Sequence, residues 1–424
     1  MLVLLLAFSC SEDEIIEEEP PVEEEPVETS KTFIYDHFKA DYLWLEELPE
    51  VDPNSFSTDT GLVSALRYEE LDRWSFVTDL TAYRALFENA QTKGFGVGMA
   101  YIAEEKRLMV RFAYKKAPMG LAGVDRGWEF YKINDVLVSE MENPWEAFDT
   151  DSEVKFTFIT TENDTVDHSM TRVDYEINTV LHTSVLEAGG RKVGYLVFES
   201  FLQQTSVDEL NEAFSYFAGE SIEDIVIDLR YNGGGSVGTA FHLSALVGGN
   251  DVLNRNILVA YIYNSNRSSE NQALYLGEDY PAGNSVNFDR LFFITTESSA
   301  SASEMVINSM YPYKDEVILI GEKTHGKPVG MEVYESEEYG IALGPITFQL
   351  VNAHGNGHYF NGIPVNHDVV DDVFHGWGDP EEACLKKALQ LISGEEDEVA
   401  LKSAGLKPVG VPLKRGLQEI TGAY

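Results

Sequence analysis

The chain has 424 residues, more than one hydrophobic core usually organises, so two or three domains are expected. Thirty Lys and Arg stand against 72 Asp and Glu, and the resulting charge of −42 repels phosphate backbones and anionic headgroups, which argues against nucleic-acid binding. Apolar residues reach 44%, enough for real cores, yet no run of about 18 of them occurs that could cross a bilayer as a helix.

Met1 to Phe8 read MLVLLLAF, followed by Ser9 and Cys10. Residues 1–10 resemble the tail of a bacterial lipoprotein signal, with Cys10 as the lipid-bearing residue, although a basic leader is missing and Phe8 is bulky for its place. Residues 11–31 carry Glu12 to Glu14, Glu17 to Glu19 and Glu23 to Glu25 around Pro20, Pro21 and Pro26, a composition that buries too little surface to fold and reads as an extended tether. An acidic run in this place is similar to the export signal of surface lipoproteins in the Bacteroidetes group. The implied location is the cell envelope of a Gram-negative bacterium, periplasmic or on the outer-membrane surface, with the membrane touched only through the lipid.

From Thr32, Ile34, Phe38, Tyr42 and Leu45 recur at helical spacing, and a small helical region is expected over 32–92. Residues 93–175 hold short β-like runs at 96–102, 107–113 and 154–160. Over 176–395 the pattern turns to strand, helix, strand. Val193 to Phe198, Ile225 to Leu229, Leu291 to Ile294 and Val317 to Ile320 are continuous apolar runs, as in strands buried on both faces of a largely parallel sheet. Ser206 and Glu209 form an expected capping box for one helix, and Asp379, Pro380 and Glu382 the start of the last. Residues 396–424 read as a loose polar tail. The fold class is therefore α/β, with a β-rich domain and a small helical domain ahead of an α/β core.

Three segments follow strands of this sheet, where open α/β sheets bind ligands. They are Asp228-Leu-Arg-Tyr-Asn-Gly-Gly-Gly235, Ser299-Ala-Ser-Ala-Ser-Glu304 and Gly321-Glu-Lys-Thr-His-Gly-Lys327. Each has an ordinary reading, since Ser301 to Glu304 is a capping box and a lysine after a glycine turn is commonly a surface residue. Their joint appearance in this order is specific. It resembles the glycine turn, nucleophile segment and lysine segment of the C-terminal processing proteases, serine peptidase family S41. Leu71-Asp-Arg-Trp-Ser-Phe76 is similar to that family's motif ahead of its PDZ domain, and Lys93-Gly-Phe-Gly-Val97 to a PDZ carboxylate-binding loop.

The resemblance implies a ClpP- and crotonase-like α/β protease core with a PDZ-like domain, a serine endopeptidase that cleaves proteins whose free C-terminus is captured at Phe95, Gly96 and Val97, and no metal or other cofactor. Ser301 matches the nucleophile and Lys327 the base, which has to be neutral to accept a proton and therefore buried. Gly234 and Ala302 match the oxyanion hole. The family's orienting Gln, four residues after the lysine, is Met331 here, which leaves His325 or Glu332 as candidate support for Lys327. A catalytically inactive peptide-binding scaffold of the same fold is the alternative.

Gly233 to Gly238 also matches G-x-G-x-x-G after a strand, but the following strand, Ile257 to Tyr263, ends without an acidic residue for a ribose. His354, His358 and His367 are separated by glycines and lack a zinc-binding helix pattern. Cys384 lies on the apolar stripe of the last helix and is expected to be core.

Overall fold

A computed structural model describes residues 28–249, 256–276, 285–286, 288–395 and 409–410; Cys10 and the acidic stretch before Glu28 lie outside them. The four apolar runs become strands Arg191–Phe198, Asp224–Asp228, Arg290–Thr295 and Glu316–Gly321, hydrogen-bonded in that order and parallel. Val180–Ala188 adds an antiparallel edge, and His367–Asp368 a short parallel one.

Alternation explains why these strands are apolar throughout. Leu196, Ile225, Ile227, Leu291, Phe293 and Leu319 face helices Gln203–Glu220, Val237–Gly248 and Ala302–Met310, through Leu210, Phe214, Leu243 and Met305. Val193, Tyr195, Val226, Phe292, Ile294 and Ile320 face the last helix, Ala383–Ser393, through Cys384, Leu385, Ala388 and Ile392. Cys384 is buried and its thiol is pushed well up by that burial, which suits a core residue.

Two helix starts differ from the sequence reading. The first helix of the core begins at Gln203, so Ser206 sits inside it, taking Leu202 N–H and donating to Ser200 C=O. Glu209 instead receives the N–H groups of Thr179 and Val180. Long-range backbone donors outbid the local box. In the last helix Glu382 is the cap, accepting from Leu385 N–H, while Asp379 closes a preceding turn with Glu381 N–H.

The β-rich region carries strands Val97–Ile102, Arg107–Ala113, Glu129–Ile133, Val154–Ile159 and Thr165–Met170 around a core of Phe95, Phe130, Phe148, Phe156 and Phe158. Its outer strand, Val97–Ile102, is joined by Val409–Gly410 from the tail expected to be loose. The helical region is not self-contained. Helices Ser30–Asp41 and Asp59–Leu66 pack Ile34, Phe38, Leu62 and Leu66 with Trp74 against Val329, Leu343 and Ile346 of the core, and Phe76–Asp79 pairs with Ile341–Gly344. Ile257–Tyr263 is a strand, but in a separate antiparallel sheet with 272–275, 346–352 and 329–331, so it cannot flank a dinucleotide crevice. Among the described residues no three His, Cys, Asp or Glu gather as a metal site.

Candidate active site

The three sequence motifs leave the same carboxyl edge of the parallel sheet, after Asp228, Thr295 and Gly321. Ser301 stands between the turn 296–300 and the helix Ala302–Met310, half-buried, with φ 55° and ψ −111°. A side chain other than glycine rarely adopts such a backbone, which costs of the order of 1–3 kcal/mol and persists only where neighbours over-determine it. Here they do. Ala300 N–H and the Ser303 hydroxyl donate to Asn232 C=O at 3.0 and 2.9 Å, and the Ser299 hydroxyl donates to Leu229 C=O at 2.7 Å. A sharp strand-to-helix turn of this kind lifts a hydroxyl clear of the sheet, as a nucleophile requires.

Gly234 closes against that turn. Its φ is +100°, and a Cβ there would lie 2.8 Å from Ser301 Cβ and 3.0 Å from Ala302 N. Only glycine lets the 233–235 turn approach Ser301 so closely. Ala302 N–H, first in its helix, is among the donors a helix leaves unused. Gly234 N–H, the other donor expected for an oxyanion, is already engaged: it donates to Asn232 Oδ1 at 2.9 Å.

Lys327 follows Gly326, whose φ of +97° and contact with Phe360 and Gly362 backbone again require glycine. The lysine is 6% exposed, and burial pushes its ammonium down to about 8, against the carboxylates of Asp72 and Glu304, which act to raise it. It is thus able to be neutral near physiological pH.

Glu304 joins the two turns. Fully buried, its carboxylate accepts from Ser301 N–H at 2.9 Å, Thr324 hydroxyl at 2.6 Å, Gly326 N–H at 2.6 Å and Lys327 N–H at 2.8 Å. Burial raises its affinity for a proton, and the four donors oppose that. His325 N–H adds a second tie, to Ser299 C=O at 2.9 Å.

With this geometry in place, comparison with known proteins is decisive. Peptidase family S41 matches residues 192–370, which contain all three motifs, and the peptidase S41 N-terminal domain matches residues 30–76. The chain belongs to peptidase family S41. It is 25% identical over 250 residues to carboxyl-terminal-processing peptidase 3, chloroplastic, of Arabidopsis thaliana, a match that covers 55% of this chain and 45% of that one, so it spans less than half of the relative's length. A crystal structure from Bacteroides fragilis, assigned to the S41 proteases, superposes with a TM-score of 0.73 at 21% identity, over 90% of this chain and 100% of that chain, and this shows the S41 fold.

The S41 lysine segment continues to Met331, which packs into the apolar cluster of Trp74, Val329 and Ile346. A glutamine there would bury an amide among hydrocarbons. Of the two candidate supports, Glu332 is committed elsewhere, to Arg267 at 2.6 Å and Tyr334 hydroxyl at 2.9 Å. His325 is close at hand: its Nε2 receives Trp74 Nε1–H at 3.2 Å. Phe95 is buried in the β-rich core, Gly96 has φ +72° against Ala117, and the carbonyls of Phe95 and Gly96 accept from Met119 and Tyr114 N–H, which turns the loop's own N–H groups the other way.

Sequence reasoning missed a buried charge cluster behind the glycine turn. Arg230 bonds Asp228, Asp371 at 2.8 Å and Glu382 at 2.8 Å, while Arg126 of the β-rich region bonds Asp371 at 2.9 Å and Tyr231 hydroxyl at 2.7 Å. Asp371, despite its burial, is held far below the usual carboxylate range by Arg126 and Arg230. Five ionic groups scattered from Arg126 to Glu382 leave no local pattern to read; the one signal was Asp228-Leu-Arg230 itself.

Proposed function

We propose that this S41 chain is a serine endopeptidase of the C-terminal processing type, in which Ser301 attacks a peptide carbonyl and neutral Lys327 takes its proton and returns it to the leaving amine. The observation that carries this reading is the single buried carboxylate of Glu304, which binds the nucleophile turn and the lysine turn together. Ala302 N–H faces the developing oxyanion, joined by Gly234 N–H once the stronger, charged acceptor displaces Asn232 Oδ1.

Substrate selection is assigned to the PDZ-like region. Phe95, Gly96 and Val97 receive a free C-terminal carboxylate, and the peptide adds a strand beside Val97–Ile102. Free-acid peptides should therefore bind better than their amides in calorimetry. The partner class is protein or peptide with an accessible C-terminus, and the site of action is the cell envelope, with Cys10 as lipid anchor. Cys10→Ser should release the full chain from the membrane fraction of its host.

Cleavage of a C-terminally tagged unfolded substrate, with Ser301→Ala and a chelator as controls, tests the activity. Loss in the variant and indifference to chelator support it. Silence of the wild type over many substrates, with peptide binding intact, supports the inactive scaffold instead.

A further inference from the structure

A lysine amine sits at the end of four methylenes, and a base must be aimed as well as neutral. Lys327 Nζ lies 5.8 Å from the centroid of the Trp74 ring, within reach of the attraction between a ring face and a cation. That ring is fully buried and held at both ends. Its Nε1–H donates to His325 Nε2, and the two rings meet edge to face at 6.1 Å. Its backbone N–H donates to Asp72 Oδ1 at 2.9 Å. Asp72 also takes Ser75 N–H and the hydroxyls of Tyr42 and Ser75, so the turn 72–75 is tied to the first helix. Ser75 Oγ in turn accepts Ile346 N–H from the core.

We propose that Trp74 is the positioning residue for Lys327: its ring covers the amine and aims it, His325 latches the ring, and Asp72 anchors the turn that carries it. The proposal rests on Lys327 being the base. It explains why Met331 is tolerated, since the lysine is held from above by the N-terminal segment rather than by an amide on its own strand. The titratable and charged groups around the arrangement are Asp72 and Arg73 from the N-terminal turn, with the Arg73 guanidinium 5.0 Å from the Trp74 ring centroid, Glu304 from the helix after Ser301, His325 from the lysine's own turn, and Tyr359 beside Glu304. The two carboxylates and the ring face favour the ammonium, and burial, the largest influence on Lys327, opposes them. Removing the cover admits water and returns the lysine toward its ordinary value of about 10.4.

The test reads Lys327 itself on the full chain, through the pH dependence of its acylation by acetic anhydride, alongside the pH–rate profile for cleavage. In the wild type the acylation midpoint should lie near 8. Trp74→Ala should raise it by at least about one unit and cut kcat at pH 8 by roughly 10-fold or more, with KM little changed. Trp74→Phe, which keeps an apolar cover but gives up the Nε1–H held by His325, should raise the midpoint by less than Trp74→Ala does. Because Trp74→Ala empties a fully buried site, His325→Leu is the second variant: it removes only the acceptor and should move the midpoint upward by a smaller step, while His325→Gln, which still accepts, restores it. A merely structural role would reduce the yield of folded chain and leave the midpoint in place. Unmoved midpoints in folded Trp74→Ala or His325→Leu protein, or a wild-type Lys327 that titrates near 10.4, overturn the proposal. A midpoint near 8 that responds to Trp74 in a chain without cleavage upholds the positioning and removes the protease reading.

Discussion

The backbone N–H groups of Ser301 and Lys327 converge on one oxygen, Oε2 of Glu304, at 2.9 and 2.8 Å. The spacing of the proposed nucleophile and base is thereby set by main chain and by one buried side chain. Glu304→Ala would strand three backbone N–H groups and a hydroxyl in a dry site, so a stability loss of about 3–5 kcal/mol is expected. Glu304→Gln keeps an acceptor but loses the charge. It should retain the fold, lose roughly 10- to 100-fold in kcat, and shift the ascending limb of the pH–rate profile to lower pH, because a carboxylate that favoured the Lys327 ammonium is gone. Circular dichroism with a pH profile checks both outcomes; an upward shift would contradict the electrostatics.

Lys327 makes a prediction about stability as well as rate. Its value in the folded chain is about 8 against an ordinary 10.5, so the folded state binds fewer protons than the unfolded state between those limits. The penalty for burying the ammonium is fully present below pH 8 and fades as pH rises through 10.5. Lys327→Met should therefore be more stable than wild type at pH 7, by up to ~3 kcal/mol at 1.36 kcal/mol per unit, and should lose that advantage by about pH 10.5. Denaturant titrations at pH 7 and 10 check the sign. Activity runs with the neutral amine, rising through about pH 8, and both Lys327→Met and Lys327→Arg should abolish it, the latter because a guanidinium stays protonated. Combining either with Ser301→Ala should cost little more.

Much of this site was legible in the sequence, for a physical reason. The nucleophile, base and glycine turns each sit in a few consecutive residues at strand ends, where apolar runs mark the strands. Glu304 was legible only as the N3 residue of a capping box, since its bonds to Gly326 and Lys327 depend on how two loops meet. Trp74 was visible inside a motif, but its contact with the lysine crosses from the first helices to the core. The capping box at Ser206 and Glu209 misled because the same side chains found partners in Ser200 and Thr179, outside the helix. Local patterns lose to tertiary donors where both compete for one acceptor.

Gly234 separates oxyanion binding from ground-state binding. Gly234→Ala would press a Cβ against Ser301 Cβ and hold an L-residue at φ +100°. The turn has to retreat, carrying its N–H away from the oxyanion position. A loss of ~2.7–4 kcal/mol in the transition state, roughly 10²- to 10³-fold in kcat, is the usual consequence of losing one such donor. Affinity for a peptide aldehyde, which forms a tetrahedral adduct on Ser301, should fall by a similar factor, whereas affinity for an uncleaved peptide on Ser301→Ala should hardly change. Equal losses for both ligands would place the damage in peptide binding.

The edge proposed to receive a substrate strand already carries one. Val409 and Gly410 pair antiparallel with Tyr101 and Ala100, so this two-residue strand points toward the loop at Phe95–Val97, the direction in which a captured C-terminus would run. Pro408 and Pro412 flank the pair in sequence and cannot donate to a ladder, which favours ready displacement of this pairing by a peptide. A tethered segment nevertheless competes at an effective concentration near the millimolar range. Ending the chain after Glu395 should therefore tighten binding of a free-acid peptide by about 3- to 30-fold, chiefly through faster association, and a synthetic peptide covering 405–414 should reverse the gain. Calorimetry on the full and shortened chains measures this directly. Identical affinities would mean that the pairing at Tyr101 and Ala100 leaves the capture edge open.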